Sequence, residues 1–218
     1  MQDLIIFRYS DLIWTGLNVT IRISILSMLA GVIFGLIIAL IKGSKNTILS
    51  SIGYIFTELA RNTPALVGIM WFTYVFPQLF SIKIPVFWTA WMALTFQTTG
   101  YMSEVFRAGI EAIGKEQRYA AKSVGLTFYQ EMKLVILPQA IRIMIPDILN
   151  QFVVVFKTST LVSVVAVRDL MYQAHRLSSQ LYQPVEIYTS VAVIYILIIF
   201  GLSILVNLIQ KKYKIPGY

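Results

Sequence analysis

The sequence predicts an all-α, polytopic membrane bundle of about five transmembrane helices, and three observations carry that prediction. Of the 218 residues 57% are hydrophobic and only 13% charged, with a mean hydropathy of +0.74, which is far too apolar for a water-soluble domain of this length. Five runs reach the roughly 20 apolar residues that a helix needs to cross a hydrocarbon core, where unpaired backbone groups are not tolerated. The basic residues behind the net charge of +8 sit at the ends of those runs, whereas a nucleic-acid interface would align them in one stripe. A lipid bilayer is therefore the expected partner, and no nucleic acid is.

Taken in order, residues 1–11 carry Asp3, Arg8 and Asp11 with no basic stretch ahead of a cleavage site, so no removable signal peptide is expected. The first run, residues 23–41, is uncharged and places Gly31 and Gly35 four apart, a spacing that lets another helix approach closely. The second, 62–82, is interrupted by Pro64 and Pro77; the third, 84–103, follows after one lysine, so the two are expected to form a hairpin. The fourth, about 136–167, contains Arg142, Asp147 and Lys157 and should line the interior of the bundle. The fifth, 187–210, ends on Lys211, Lys212 and Lys214, the anchor expected at a cytoplasmic helix end. The whole chain, 1–218, reads as a single transmembrane domain.

Short loops rich in Lys and Arg favour the cytoplasm. With the N-terminus outside, the inner loops hold ten cations: Lys42, Lys45, Arg107, Lys115, Arg118, Lys122, Lys133, Lys211, Lys212 and Lys214. The outer segments hold four, Arg8, Lys83, Arg168 and Arg176. The expected topology is thus N-terminus outside and C-terminus cytoplasmic. His175 and the tryptophans Trp14, Trp71, Trp88 and Trp91 fall in outer loops or at the membrane interface.

Catalysis has little support. There is no cysteine, and one histidine does not make a zinc site. No HExxH and no phosphate-binding GxxxxGK[ST] occurs, so any ATP used must be hydrolysed by another chain. Lys157 and Ser159 are two apart on a helix and point to different faces, which argues against a base and nucleophile. Lys157 instead reads as an intramembrane ammonium that must face protein, water or a partner, with Thr158, Ser159 and Thr160 supplying neutral hydroxyls beside it. Thr98 and Thr99 in the third run are candidates to add hydroxyls across a pocket, although such groups also satisfy helix carbonyls. Glu104 and Arg107 form either an ordinary helical pair or a gate.

The loop between the third and fourth runs, about 111–138, is rich in both signs of charge. Residues 115–124 suit a short helix that Gly125 stops. Ala120 and Ala121, then Gly125 after three intervening residues, then Val135, Leu137 and Pro138 resemble the EAA loop of ABC importer permeases. Three further stretches resemble the polar amino-acid branch of that family: residues 58–67, ELARNTPALV; residues 101–110, YMSEVFRAGI; and residues 157–165, KTSTLVSVV. Together the matches cover nearly the whole chain.

The resemblance implies a permease subunit that pairs with a second permease copy or homologue. It also implies a cytoplasmic ATPase dimer below, an extracytoplasmic amino-acid-binding protein above, and residence in the bacterial inner membrane. No cofactor is expected in this chain, since ATP and Mg belong to the ATPase. It assigns coupling to Tyr119, Ala120, Ala121, Gly125, Leu126, Leu137 and Pro138, with Tyr119 standing where the family usually has glutamate. Thr98, Thr99, Glu104, Lys157, Thr158 and Ser159 are the pathway candidates, and acidic or amide amino acids are the favoured cargo. The rival reading of the intramembrane charges is a secondary transporter or channel that does not use ATP.

Overall fold

The computed structural model describes residues 9–213, and Asp3, Arg8 and Lys214 lie outside them. Eight helices make up the described residues. The first, α1 (Ser10–Lys42), has 33 residues, which at 1.5 Å per residue is about 50 Å, well beyond a bilayer core. It begins thirteen residues before the expected run at residue 23, because Asp11 and Thr15 lower the hydropathy of its first turns without interrupting the helix. Its partner is α4 (Val86–Glu111), which runs parallel to it. Gly31 lies against Thr98 and Gly35 against Met102, so close that a β-carbon at either glycine would overlap the facing side chain. The spacing of Gly31 and Gly35 thus serves the close helix approach expected of it.

The second run is corrected most. It begins in α2 (Thr47–Asn62), whose N-cap Asn46 accepts from the backbone N–H groups of Ile48 and Leu49. Pro64, with no N–H to donate, stands at an extended break (ψ 132°) before the helix resumes as α3 (Ala65–Leu79). A π-helical stretch at Trp71–Val75 precedes Pro77 in α3. Ser50, Ser51 and Glu58 kept α2 below the hydropathy of a membrane run, yet its small residues Gly53, Thr57 and Ala60 recur on one buried face.

α4 extends eight residues past the expected end at 103, since Glu104, Arg107 and Glu111 pair with one another and with Lys42. The short helix α5 (Lys115–Ser123) follows as expected. A turn at Phe128–Gln130 and a π-helix at Glu131–Ile136 lead into α6 (Leu137–Thr158), which tightens into a 3-10 helix at Ser159–Val165. α7 (Leu170–Leu181) has no counterpart among the expected runs, being too polar and short, although Asp169 supplies its N-cap. The last helix is α8 (Pro184–Tyr213).

Among the described residues, three stretches are long and apolar enough to cross a membrane by themselves: Ser10–Lys42, Phe128–Val165 and Pro184–Lys211. With α4, and with α2 and α3 counted as one interrupted passage, five passages result. Because α1 and α4 are parallel, Lys42, Glu111 and α5 share one end of the bundle, while α7 packs beside Gly16 and Thr20 at the opposite end.

Candidate functional site

At the Lys42 end, α5 is closed by a Schellman motif. Gly125 has φ +78°, its N–H donates to the Lys122 carbonyl at 2.9 Å, and the Leu126 N–H donates to the Ala121 carbonyl at 3.2 Å. Thr127 and Gln130 then form a reciprocal capping box that restarts the chain. The alanine pair divides its work: Ala121 is buried, whereas Ala120 faces outward with Tyr119. Tyr119, Val124, Phe128 and Tyr129 are each more than 60% exposed, so the tip of this loop is an apolar and aromatic knob. Leu126 is half-buried, and Leu137 and Pro138 lie exposed at the start of α6.

Glu104 belongs to a charge junction near the same end. It pairs with Lys42 of α1, and its other oxygen accepts from Arg107 at 2.8 Å and 3.0 Å; Arg107 also reaches Glu111 at 2.5 Å. The Lys42 ammonium lies 4.7 Å from the centre of the Tyr54 ring of α2. Three helices therefore meet on one buried lysine.

Midway along the bundle, α4 and α6 line a cleft of about 100 Å³, open at its mouth. Its polar lining is Gln97, Thr98 and Tyr101 from α4 and Gln151 and Thr158 from α6, with no formally charged side chain among the lining residues. The structure brings Thr98 and Thr158 together here and turns Thr99 and Ser159 away. Thr99 donates to the Thr95 carbonyl at 2.8 Å. Ser159 donates to the Phe156 carbonyl at 2.8 Å and accepts from Ser24 of α1 at 3.1 Å, so it ties two helices together.

Lys157 is exposed on this chain and does not line the cleft. It continues an outward face of α6 that carries Asp147, Asn150 and Val154 at three- and four-residue intervals. Beside the cleft, Arg61 of α2 lies 5.8 Å from the ring centre of Tyr101, and its buried Nε has no hydrogen-bond partner. Gln97 and Gln151 were missed from sequence; the signal was an amide inside an otherwise apolar run, which costs free energy unless it is used.

The model of the binding-protein-dependent transport system inner membrane component family matches residues 31–215. The probable glutamine ABC transporter permease protein GlnM of Bacillus subtilis is 34% identical over 97% of this chain and 98% of its own. The arginine transport system permease protein ArtQ of the same organism is 32% identical over 91% of each chain. The glutamine transport system permease protein GlnP of Escherichia coli is 28% identical over 92% of each. A crystal structure of an amino acid ABC transporter with histidines superposes with a TM-score of 0.91 at 34% identity, over 97% of this chain and 99% of that one.

Proposed function

Because the chain belongs to the binding-protein-dependent transport system inner membrane component family, we propose that the outward face of α6 and the adjacent cleft form one wall of its translocation pathway, which a second permease subunit completes. Membership makes the chain a multi-pass permease of an ABC importer for polar amino acids in the bacterial inner membrane. It is not an enzyme and carries no cofactor; a separate ATPase subunit hydrolyses ATP. A secondary transporter or channel is accordingly set aside.

The observation that carries the pathway reading is the exposure of Asp147, Asn150 and Lys157 on one face of a membrane-length helix. Charged side chains facing lipid are costly, so that face belongs against water or a partner. A pore between two permeases supplies both. The residues of the cleft then meet the substrate, with Thr158 in contact, buried Thr98 behind it and Lys157 at its border. Thr99, Ser159 and Glu104 hold the wall in place. The whole chain, 1–218, acts as one domain, with segment 111–138 as its coupling element.

The apolar knob around Tyr119, Ala120 and Gly125 docks into the ATPase dimer, seated by Ala121, Leu126, Leu137 and Pro138. This places the Lys42 end in the cytoplasm, and the opposite end, with α7, receives an extracytoplasmic amino-acid-binding protein. The names of the relatives divide between glutamine and arginine. A cleft of amides and hydroxyls with no carboxylate favours an amide or acidic amino acid, since a guanidinium would lose hydration there with no counter-charge. Arg61 beside Tyr101 is positioned to attract a carboxylate. Reconstituted with its ATPase and binding protein, the permease should support glutamine-stimulated ATP hydrolysis; stimulation by arginine alone would overturn the cargo assignment.

A further inference from the structure

At the end of the bundle opposite α5, three helices converge on a group of buried oxygens. Asp169, the N-cap of α7, is 0% exposed; its Oδ1 accepts from the Tyr172 N–H at 2.9 Å, and its Oδ2 has no partner. Gln173, one turn on, is 3% exposed and its Oε1 has no partner. The buried hydroxyl of Tyr195, from α8, lies beside Thr20 and Asp169 without a hydrogen bond of good geometry to either. From α1, Thr20 accepts from the Leu170 N–H at 3.1 Å, and Gly16 lets α7 approach so closely that a β-carbon there would lie 2.9 Å from the Asp169 carbonyl oxygen.

Each such orphan is costly, and two of the three, a carboxylate oxygen and an amide oxygen, can only accept. Of the three orphans only the Tyr195 phenol carries a hydrogen, so two acceptors share one donor and a second hydrogen is missing. No Lys, Arg or His forms an ion pair with Asp169 among the described residues. Its cationic neighbours on the same stretch, Arg168 and Arg176, are exposed, and exposed His175 bonds Tyr188 through Nδ1 at 2.7 Å. From α1 the cluster meets a hydroxyl and backbone, and from α8 the phenol of Tyr195.

We propose that Asp169 binds a proton in this structure, that the neutral acid supplies the missing donor of the cluster, and that its ionisation loosens the seat of α7 on α1 and α8. Removal from water pushes the Asp169 carboxyl up from 3.8 to about 7, against the pull of backbone N–H groups at the helix start. An acid whose folded value is raised favours the folded state fully below its unfolded value, and that contribution is lost as pH rises through about 7. On the orientation proposed above, this site reads the extracytoplasmic pH.

The test uses the full-length chain in lipid nanodiscs between about pH 5.5 and about pH 8.5, a window that brackets the raised value and leaves ordinary carboxylates ionised. The thermal midpoint should be higher at the acid end, and a carboxylic-acid infrared band should vanish on going to the alkaline end. Asp169→Asn keeps the cap and mimics the neutral acid, so its midpoint should stay at the acid value throughout, and the band should be missing. Asp169→Ala should be lower at both ends. A flat wild-type profile without the band overturns the proposal; an ionised Asp169 satisfied by a turned Gln173 amide would give that result. A rise in midpoint at alkaline pH with sodium chloride but not choline chloride overturns it in favour of a metal cation. The wild-type measurements decide the matter even if Asp169→Asn fails to fold.

Discussion

The ammonium of Lys42 and the carboxylate of Glu104 pair across the α1–α4 contact with the lysine side chain only 1% exposed, which makes this ion pair the buried tie at the α5 end of the bundle. Gly53 of α2 closes over the lysine stem, and Tyr54 covers the charge. Such a pair adds little net stability over apolar residues of equal volume, but removing one partner strands the other. Glu104→Gln should therefore lower stability by about 3 kcal/mol, while Lys42→Met combined with Glu104→Leu should recover most of that loss. Thermal unfolding in detergent measures both. Additive losses in the double variant would show that the two charges are not coupled.

The coupling role proposed for α5 rests on a backbone conformation more than on a side chain. Nothing lies within 4 Å of the position a β-carbon would take on Gly125, so the penalty of substitution there comes from φ +78° alone. A β-branched residue is strained in that region by about 1–3 kcal/mol, whereas asparagine tolerates it. Gly125→Val should insert into the membrane normally yet lose ATPase association or substrate-stimulated turnover, and Gly125→Asn should retain most of both. Normal stimulated turnover in Gly125→Val vesicles would count heavily against the coupling role.

These two sites mark how far the sequence could be read. The α5 helix and its glycine stop were legible because their signals are local: a charged amphipathic segment, then a glycine where the exit from that helix takes a left-handed backbone. Hydropathy found the cores of α1, α6 and α8 but not their ends, since Asp11 and Thr15 sit in the first turns of α1 and count against an apolar window without breaking a helix. Lys42 escaped notice as a buried group because its partner is 62 positions away. The α7 helix was missed although Asp169 is a good cap, as a polar segment of twelve residues looks like a loop until its buried face, Leu170, Ala174 and Leu177, is seen against α1 and α8. The facing of Lys157, Thr99 and Ser159 depended on the rotation of α4 and α6, which no one-dimensional spacing sets.

The proposed sidedness rests on charge. The fold gathers Lys45, Lys115, Arg118, Lys122 and Lys133 at the Lys42 end, with Lys83, Arg168 and Arg176 at the other. In intact cells a cysteine at position 83 should react with an impermeant thiol reagent, whereas cysteines at 45 and 214 should be protected. The chain has no native cysteine, so labelling is unambiguous. Labelling at 45 with protection at 83 would invert the topology and remove α5 from the reach of an ATPase.

The cargo prediction turns on the cleft. Gln97 and Gln151 each present an amide donor and an acceptor, and a glutamine side chain carries the complementary pair, so a carboxamide can bond without an uncompensated charge. Arginine would bring a guanidinium with five donors to a lining without a carboxylate, and desolvating it unpaired costs several kcal/mol, roughly a hundredfold or more in affinity. Lys157 lies outside the lining, so its charge acts only at the border, and Lys157→Met should change glutamine uptake by less than about threefold, as expected of an exposed charge. Gln151→Leu leaves one buried partner of the substrate unpaired, at about 1–3 kcal/mol, and should reduce transport by about tenfold or more. Gln151→Glu should shift the preference toward arginine by giving the guanidinium the counter-charge it lacks. Uptake and ATP hydrolysis in reconstituted vesicles, with the binding protein present, measure all three variants. Unchanged glutamine transport in both Gln97→Leu and Gln151→Leu would remove the cleft from the pathway, and a fall in transport on Lys157→Met larger than in either would move the recognition site to the outward face of α6.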